Sequence, residues 1–421
     1  MRGLSRQDSF TIHGQTEKRP HLTLSLKTDK DMRKKIFISL FIATMISMLS
    51  LGIITPILPL YAKSMKATGF QLGLIFSGFA LSRGIFAPII GRFSDQHGRK
   101  NFIVTGLIFF IILSLCFVVA SSPIILTIIR VIQGFSTVLV TPVAQSYIGD
   151  ITPEGKEGTY MNAFFMSFFA GQALGPYLGG ELSDRFNINA PFYAMAVLSL
   201  VALILIIFLV PESPAIQKQK KEKNPMTGSF GSVFKDKPML GIMAYFSSRG
   251  FYRWGFNSFF PVLAVKAASM SLTDIGIVLS VYMLSGSIIQ YPFGLAVDRF
   301  PKQKVLFIFV GGIIAAIPMC VIAKFHTMIM FFIMTMAMGI FSSVSRASAI
   351  AIRTERGRIY GMGATTGAFT SSLSLGQVIG PIVFGIIVDA YNIPTAFIIG
   401  GLVGIIGTIA ATVFLKVETD Y

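Results

Sequence analysis

Twelve stretches of this chain, lying between residues 36 and 415, are apolar enough and long enough to cross a lipid bilayer as helices. A bilayer core takes about 20 residues of apolar helix to span, and in lipid a backbone can satisfy its own polar groups only as helices or as a closed barrel. The runs are too long for barrel strands, so the fold class is an all-α membrane protein. Composition agrees: charged residues are 13% of the chain, about half the share of a soluble domain. The 40 Gly, 39 Phe and 20 Met suit helices packed in lipid, where small residues let backbones approach and large ones fill gaps.

The runs read 36–62, 70–91, 101–121, 124–148, 159–180 and 190–210, then 239–262, 274–296, 305–323, 328–352, 362–387 and 394–415. Residues 1–35 are polar and mixed in charge, with no early apolar core and no small-residue cleavage site, so they read as a disordered tail rather than a signal peptide. Residues 211–238 carry a lysine cluster and read as a linker; residues 416–421 form a short tail. With twelve spans both termini share one side. That side collects 26 of the 36 Lys and Arg, against five (Lys63, Lys66, Arg185, Lys266 and Lys324) on the other. The excess of positive charge marks the inner side, so both termini are expected in the cytoplasm, the chain lying in a cell membrane of the bacterial inner-membrane type. The net charge of +17 therefore belongs to loops and gives no nucleic-acid face.

The two halves repeat each other. Leu72 to Asp95 matches Ile275 to Asp298, bringing Gly73, Ser77, Gly91 and Asp95 onto Gly276, Ser280, Gly294 and Asp298. Gly171 to Asn187 matches Gly376 to Asn392, bringing Gly171, Gln172, Gly175, Pro176, Gly180 and Asp184 onto Gly376, Gln377, Gly380, Pro381, Gly385 and Asp389. Two six-helix bundles follow, 36–210 and 239–415. Parallel repeats with a site between them are an architecture of transporters that rock between two openings.

Three motifs carry a family resemblance. GRFSDQHGRK (Gly91 to Lys100, with Asp95, Gly98 and Arg99) and its degenerate copy GLAVDRFPKQK (Gly294 to Lys304, with Asp298) resemble the loop motif of the major facilitator superfamily. RVIQG, with Arg130 and Gln133, resembles the superfamily's R-x-x-Q-G element, whose arginine is tied to proton coupling. GQALGPYLGG, with Gly171, Gly175, Pro176, Gly179 and Gly180, resembles the span-five element of drug:proton antiporters, and Gly380 and Pro381 stand in its second copy. On residues alone that element is a hinge and packing seam, since Pro176 removes a backbone donor and the glycines allow close contact. The resemblance implies a transporter of small molecules, with protons as the coupling ion, export as the direction and no cofactor. One departure stands out: relatives that export cationic drugs carry an acid in span one, and Ala43 to Ala62 has none.

Five arginines lie inside predicted helices: Arg83, Arg130, Arg249, Arg253 and Arg346. An ionised group at membrane depth costs several kcal/mol unless it faces a wet cavity or a partner. Arg249 falls near the middle of its span, with Arg253 and Asn257 at successive i+4 positions, so the face RGFYRWGFN, including Tyr252 and Trp254, is the candidate cavity lining. Arg83 and Arg346 sit nearer the inner side, where they either line the cavity or snorkel. Two readings account for the arginines. Either they bind an organic anion through paired hydrogen bonds, or backbone carbonyls and end-of-helix acids such as Asp150 or Glu181 hold them while aromatics bind a neutral or amphipathic compound. The closed inner face is expected to be held by Asp95 and Asp298 against helix ends across the interface. The titratable groups on offer for coupling are Glu181, Asp184 and Asp389 outside, Asp95, Asp150 and His97 inside. Cys116 and Cys320 read as packing residues, and no metal-ligand spacing, nucleotide loop or nucleophile–base pair occurs, so an enzyme is not expected. A receptor or scaffold with the same fold is the third alternative, and a monomer is the expected state.

Overall fold

The computed structural model describes residues 20–153, 157–212 and 233–416, which form twelve long helices and two short 3-10 turns. The first bundle comprises α1 (Pro20–Ser64), α2 (Gly69–His97), α3 (Lys100–Val119), α4 (Pro123–Ile151), α5 (Glu157–Arg185) and α6 (Ala190–Leu209). The second comprises α7 (Lys237–Ala268), α8 (Leu272–Arg299), α9 (Lys304–Val321), α10 (Met328–Tyr360), α11 (Met362–Ala390) and α12 (Ile393–Lys416). Alternation places the start of α1 and the end of α12 on one side, here called the terminal face; the opposite side is the distal face.

Ten of the helices are long and apolar enough to cross a membrane by themselves; α5 and α7 fall short. Both carry a polar face turned inward to the space between bundles, which lowers their mean hydropathy without shortening them. Outward faces are apolar, with Val119, Phe208 and Ile406 among the most exposed side chains. Such a surface suits lipid rather than water.

Several helices outlast their apolar runs. The tail expected over residues 1–35 is helical from Pro20, because Leu, Lys and Arg continue a helix already nucleated in the span and each further residue adds a bond without a new nucleus. Residues 1–19 lie outside the described residues, as do most of the expected linker and the last five residues. Helix α10 likewise runs to Tyr360, ended by Gly361 at φ +92°, and α2 ends at Gly98 with φ +94°.

Within each bundle the glycine element of the odd helix is a seam. A methyl group on Gly171, Gly175 or Gly179 would enter the backbone of α1 at Met45, Gly52 or Ile53, so α5 and α1 touch main chain to main chain. In the second bundle Gly376 and Gly380 meet the backbone of α7 at Ser247 and Phe251 in the same way. One apolar core, including Ile53, Phe76, Phe256, Phe260 and Phe384, runs across both bundles in the distal half, while the terminal halves have separate cores.

Candidate functional site

Distal closure is built from the repeated residues. Gly73 of α2 lies against the Pro381 carbonyl of α11, and its counterpart Gly276 of α8 lies against the Pro176 carbonyl of α5. Ser77 Oγ donates to the Val378 carbonyl at 2.5 Å, and the Tyr177 amide donates to Ser280 Oγ at 3.1 Å. The first amides of a helix have no partner inside it. At α2, Asp389 of the other bundle accepts from Gly69 N at 2.6 Å and Phe70 N at 2.7 Å, and Thr68 Oγ1 accepts from Gln71 N. At α8, Asp184 accepts from Leu272 N at 3.3 Å and Thr273 N at 2.7 Å, and Ser271 Oγ accepts from Asp274 N. Each helix start thus has three amides satisfied, two by a carboxylate from the opposite bundle. Negative charge at a helix N-terminus is also favoured by the helix dipole.

The terminal face is open. A cavity of about 950 Å³ enters there between α5, α8, α10 and α11, with Phe165, Phe169, Tyr291, Asp298 and Arg353 among its lining. A second lobe of about 270 Å³ reaches toward the first bundle, between Phe76, Phe79, Arg83, Arg130, Phe168, Trp254 and Asn257. A third, of about 30 Å³, ends among Gln172, Arg249, Arg253, Tyr282, Ser342 and Arg346. Arg253 borders all three.

The i, i+4, i+8 set of α7 therefore faces the cavity, and Arg346 joins it from α10. Tyr252 does not: it is 5% exposed and packs against Gly404 of α12. One residue is about 100° around a helix, which takes Tyr252 off the face that Arg253 occupies. Arg249 donates to Tyr245 Oη at 3.1 Å and to the Ser342 carbonyl at 2.5 Å, and Arg346 donates to Gln290. Arg253 lies over the Tyr282 ring at 5.9 Å and Arg346 over Phe169 at 5.8 Å, and the Nε of each is buried without a hydrogen-bond partner. Arg130 donates to Gln133 at 2.8 Å and stacks over Phe79 at 4.3 Å, and Phe79 in turn stacks on Trp254 across the bundle interface.

The acids suggested as partners for these arginines are engaged elsewhere. Asp150 pairs with Arg99, and Glu181 pairs with Arg185, one helical turn away. The loop motif works within the first bundle: Arg99 joins Asp95 at 3.0 Å and Asp150, while Glu212 accepts from Arg99 N at 2.6 Å and Lys100 N at 3.0 Å. Lys100 Nζ donates to the Ile207 carbonyl. Asp95 thus meets no helix end across the interface while the terminal face is open, and Asp298 is exposed at the cavity mouth. A methyl on Gly91 or Gly294 would meet nothing within 4 Å, so neither glycine packs closely while the terminal face is open.

Sequence reasoning missed the Phe165, Phe168 and Phe169 cluster, Tyr282, Gln290 and Arg353. The polar members Gln172 and Gln290 lie inside predicted spans and are open to the depth argument applied to the arginines, whereas Arg353 lies one residue beyond its span. The phenylalanines are not open to it, because Phe164, Phe165, Phe168 and Phe169 are spread around α5 and mark no single face.

A sequence profile of the Major Facilitator Superfamily matches residues 40–271 and 248–421. An uncharacterized MFS-type transporter of Methanocaldococcus jannaschii is 27% identical over 92% of this chain and 99% of its own. Multidrug resistance protein 2 of Bacillus subtilis is 25% identical over 94% and 99%, and quinolone resistance protein NorA of Staphylococcus aureus is 28% identical over 86% and 91%. The solved nucleoside transporter NupG shares the fold with a TM-score of 0.77 at 15% identity, covering 90% of this chain and 99% of that one. Two matched halves, twelve helices and a cavity between bundles agree: the chain is a multi-pass membrane transporter belonging to the Major Facilitator Superfamily.

Proposed function

We propose that this transporter exports amphipathic organic molecules from the cytoplasm by alternating access, driven by the proton gradient. The observation carrying this reading is the cavity itself, adjoining spaces that share Phe165, Arg253 and Trp254, walled largely by aromatic side chains, open at the face that bears both termini and closed opposite. Large aromatic faces accept varied apolar bodies without demanding one hydrogen-bonding pattern. The relatives named for multidrug and quinolone resistance support export. The positive-inside count supports the terminal face being cytoplasmic, so the open state loads from within.

The match of Arg130 and Gln133 to the superfamily element tied to proton coupling supports the proton gradient as the drive. Asp184 and Asp389 are the titratable pair whose surroundings must change when the distal face opens. Protonation removes the charge that each helix start holds, which links proton uptake from the distal side to release of the closure. Arg130, joined to Gln133 on the inner lobe, is the residue placed to register the state of the cavity.

Purified protein in liposomes, loaded with a lipophilic dye and given a pH gradient, should move the dye at a rate that rises with the gradient. Dye flux equal to that of protein-free liposomes at every gradient would remove the transport reading. Flux indifferent to the gradient would remove the coupling alone.

A further inference from the structure

The smallest lobe of the cavity has the wrong chemistry for a general apolar binder. Three guanidinium groups, Arg249, Arg253 and Arg346, converge on a space of about 30 Å³ together with the Tyr282 ring and the Ser342 hydroxyl. Among the described residues none of the three forms an ion pair. Arg253 makes no hydrogen bond, the Nε atoms of Arg253 and Arg346 and the Oγ of Ser342 are buried and unsatisfied, and Arg249 is 5% exposed. An empty space of this size admits a group of one or a few heavy atoms. Like charges brought together away from bulk water repel one another, and the bonds of Arg249 to Tyr245 and the Ser342 carbonyl and of Arg346 to Gln290 replace only part of the lost hydration.

We propose that this lobe holds the carboxylate of an amphipathic organic anion, whose apolar body lies along the aromatic wall of Phe165, Phe169 and Trp254. The inference rests on the efflux reading for where the substrate travels, and on the arginine lobe for what it carries. A carboxylate accepts up to four hydrogen bonds and pairs with the planar guanidinium fork through two at once. Arg253 borders both the lobe and the wide cavity, so one residue joins the charged end of the ligand to the apolar end. Geometry removes one part of the competing account: Asp150 and Glu181 are paired with Arg99 and Arg185 and hold none of the three, while the Ser342 backbone carbonyl does hold Arg249. An aromatic cavity bearing uncompensated positive charge discriminates against lipophilic cations and in favour of anions of the same shape.

The test uses two fluorescent compounds that differ in one group, 6-(dansylamino)hexanoic acid and its neutral N-methylamide, with the full-length protein. Binding in detergent should favour the acid about tenfold or more, the effect of one charge-assisted contact. Arg253→Gln removes the charge with a shorter polar side chain and breaks no hydrogen bond among the described residues; it should erase most of that preference while amide affinity stays within about twofold. Arg346→Gln, checked for helicity and monodispersity alongside, should act in the same direction. Equal binding of acid and amide by the parent overturns the proposal. So does a preference that survives in both variants. Flux from proteoliposomes separates the two readings: equal transport of both compounds keeps efflux and removes the carboxylate site, while preferential binding of the acid with no flux of either keeps the site and removes efflux.

Discussion

Valine at position 180 should stop transport while leaving both bundles folded. Gly180 of α5 crosses the first turn of α8, where a side chain would be driven into the Leu272 carbonyl and to within 2.7 Å of the Thr273 Cα. Those neighbours are backbone and cannot rotate away, so the two bundles must separate instead. Overpacking of this kind costs about 1–3 kcal/mol, which lowers the population closed at the distal face by roughly tenfold to a hundredfold. The seams at Gly171, Gly175 and Gly179 face α1 inside the bundle and are untouched. Spin labels in the α1–α2 and α7–α8 turns should report a longer distance, together with loss of dye flux. Parental flux and distance in Gly180→Val would show that the crossing opens without cost.

Asp184→Asn combined with Asp389→Asn should shift the same equilibrium by removing charge rather than adding bulk. Each carboxylate accepts from two backbone amides of the opposite bundle, and Thr273 Oγ1 adds a further bond to Asp184. Loss of charge at a helix N-terminus in a partly buried setting costs about 1–2 kcal/mol at each site. The pair then moves the open-to-closed ratio by about a hundredfold, and single variants by about tenfold. Flux should become less responsive to the pH gradient, since the groups proposed to take the proton are gone. A double variant with unchanged spin-label distances would remove the latch, and one with unchanged gradient dependence would remove the coupling assignment.

Much of this architecture was legible in the sequence. Span count, the two halves and the cavity-facing spacing of Arg249, Arg253 and Asn257 follow from hydropathy and helical phase, both local properties. The repeat told more than it first seemed to hold. Residues that match between halves, such as Gly73 with Gly276, Ser77 with Ser280 and Asp184 with Asp389, are those that build the distal closure. Their partners were not legible, because each contact joins helix ends far apart in the chain: Asp389 meets Gly69 and Asp184 meets Leu272. Asp95 and Asp298, in the more conspicuous motif, lie on the face that is open, so the contacts expected of them in the closed state are not made here. Tyr252 was misplaced because a polar aromatic beside two arginines shares their sequence but not their helical face. Arg353 lies just beyond the apolar run that ends at 352, whereas α10 continues to Tyr360.

The crossed arrangement of the two carboxylates has a consequence for how the halves are related. Each half lends an acid to the other and receives one in return, as the subunits of a twofold-symmetric dimer do across an isologous interface. Everything the distal contact requires is present once in each half. The distal contacts described above come wholly from residues of the two halves, none from the connection between residues 212 and 233. Two six-helix polypeptides, produced separately in one membrane, are therefore expected to reassemble, and co-expression followed by dye flux checks it.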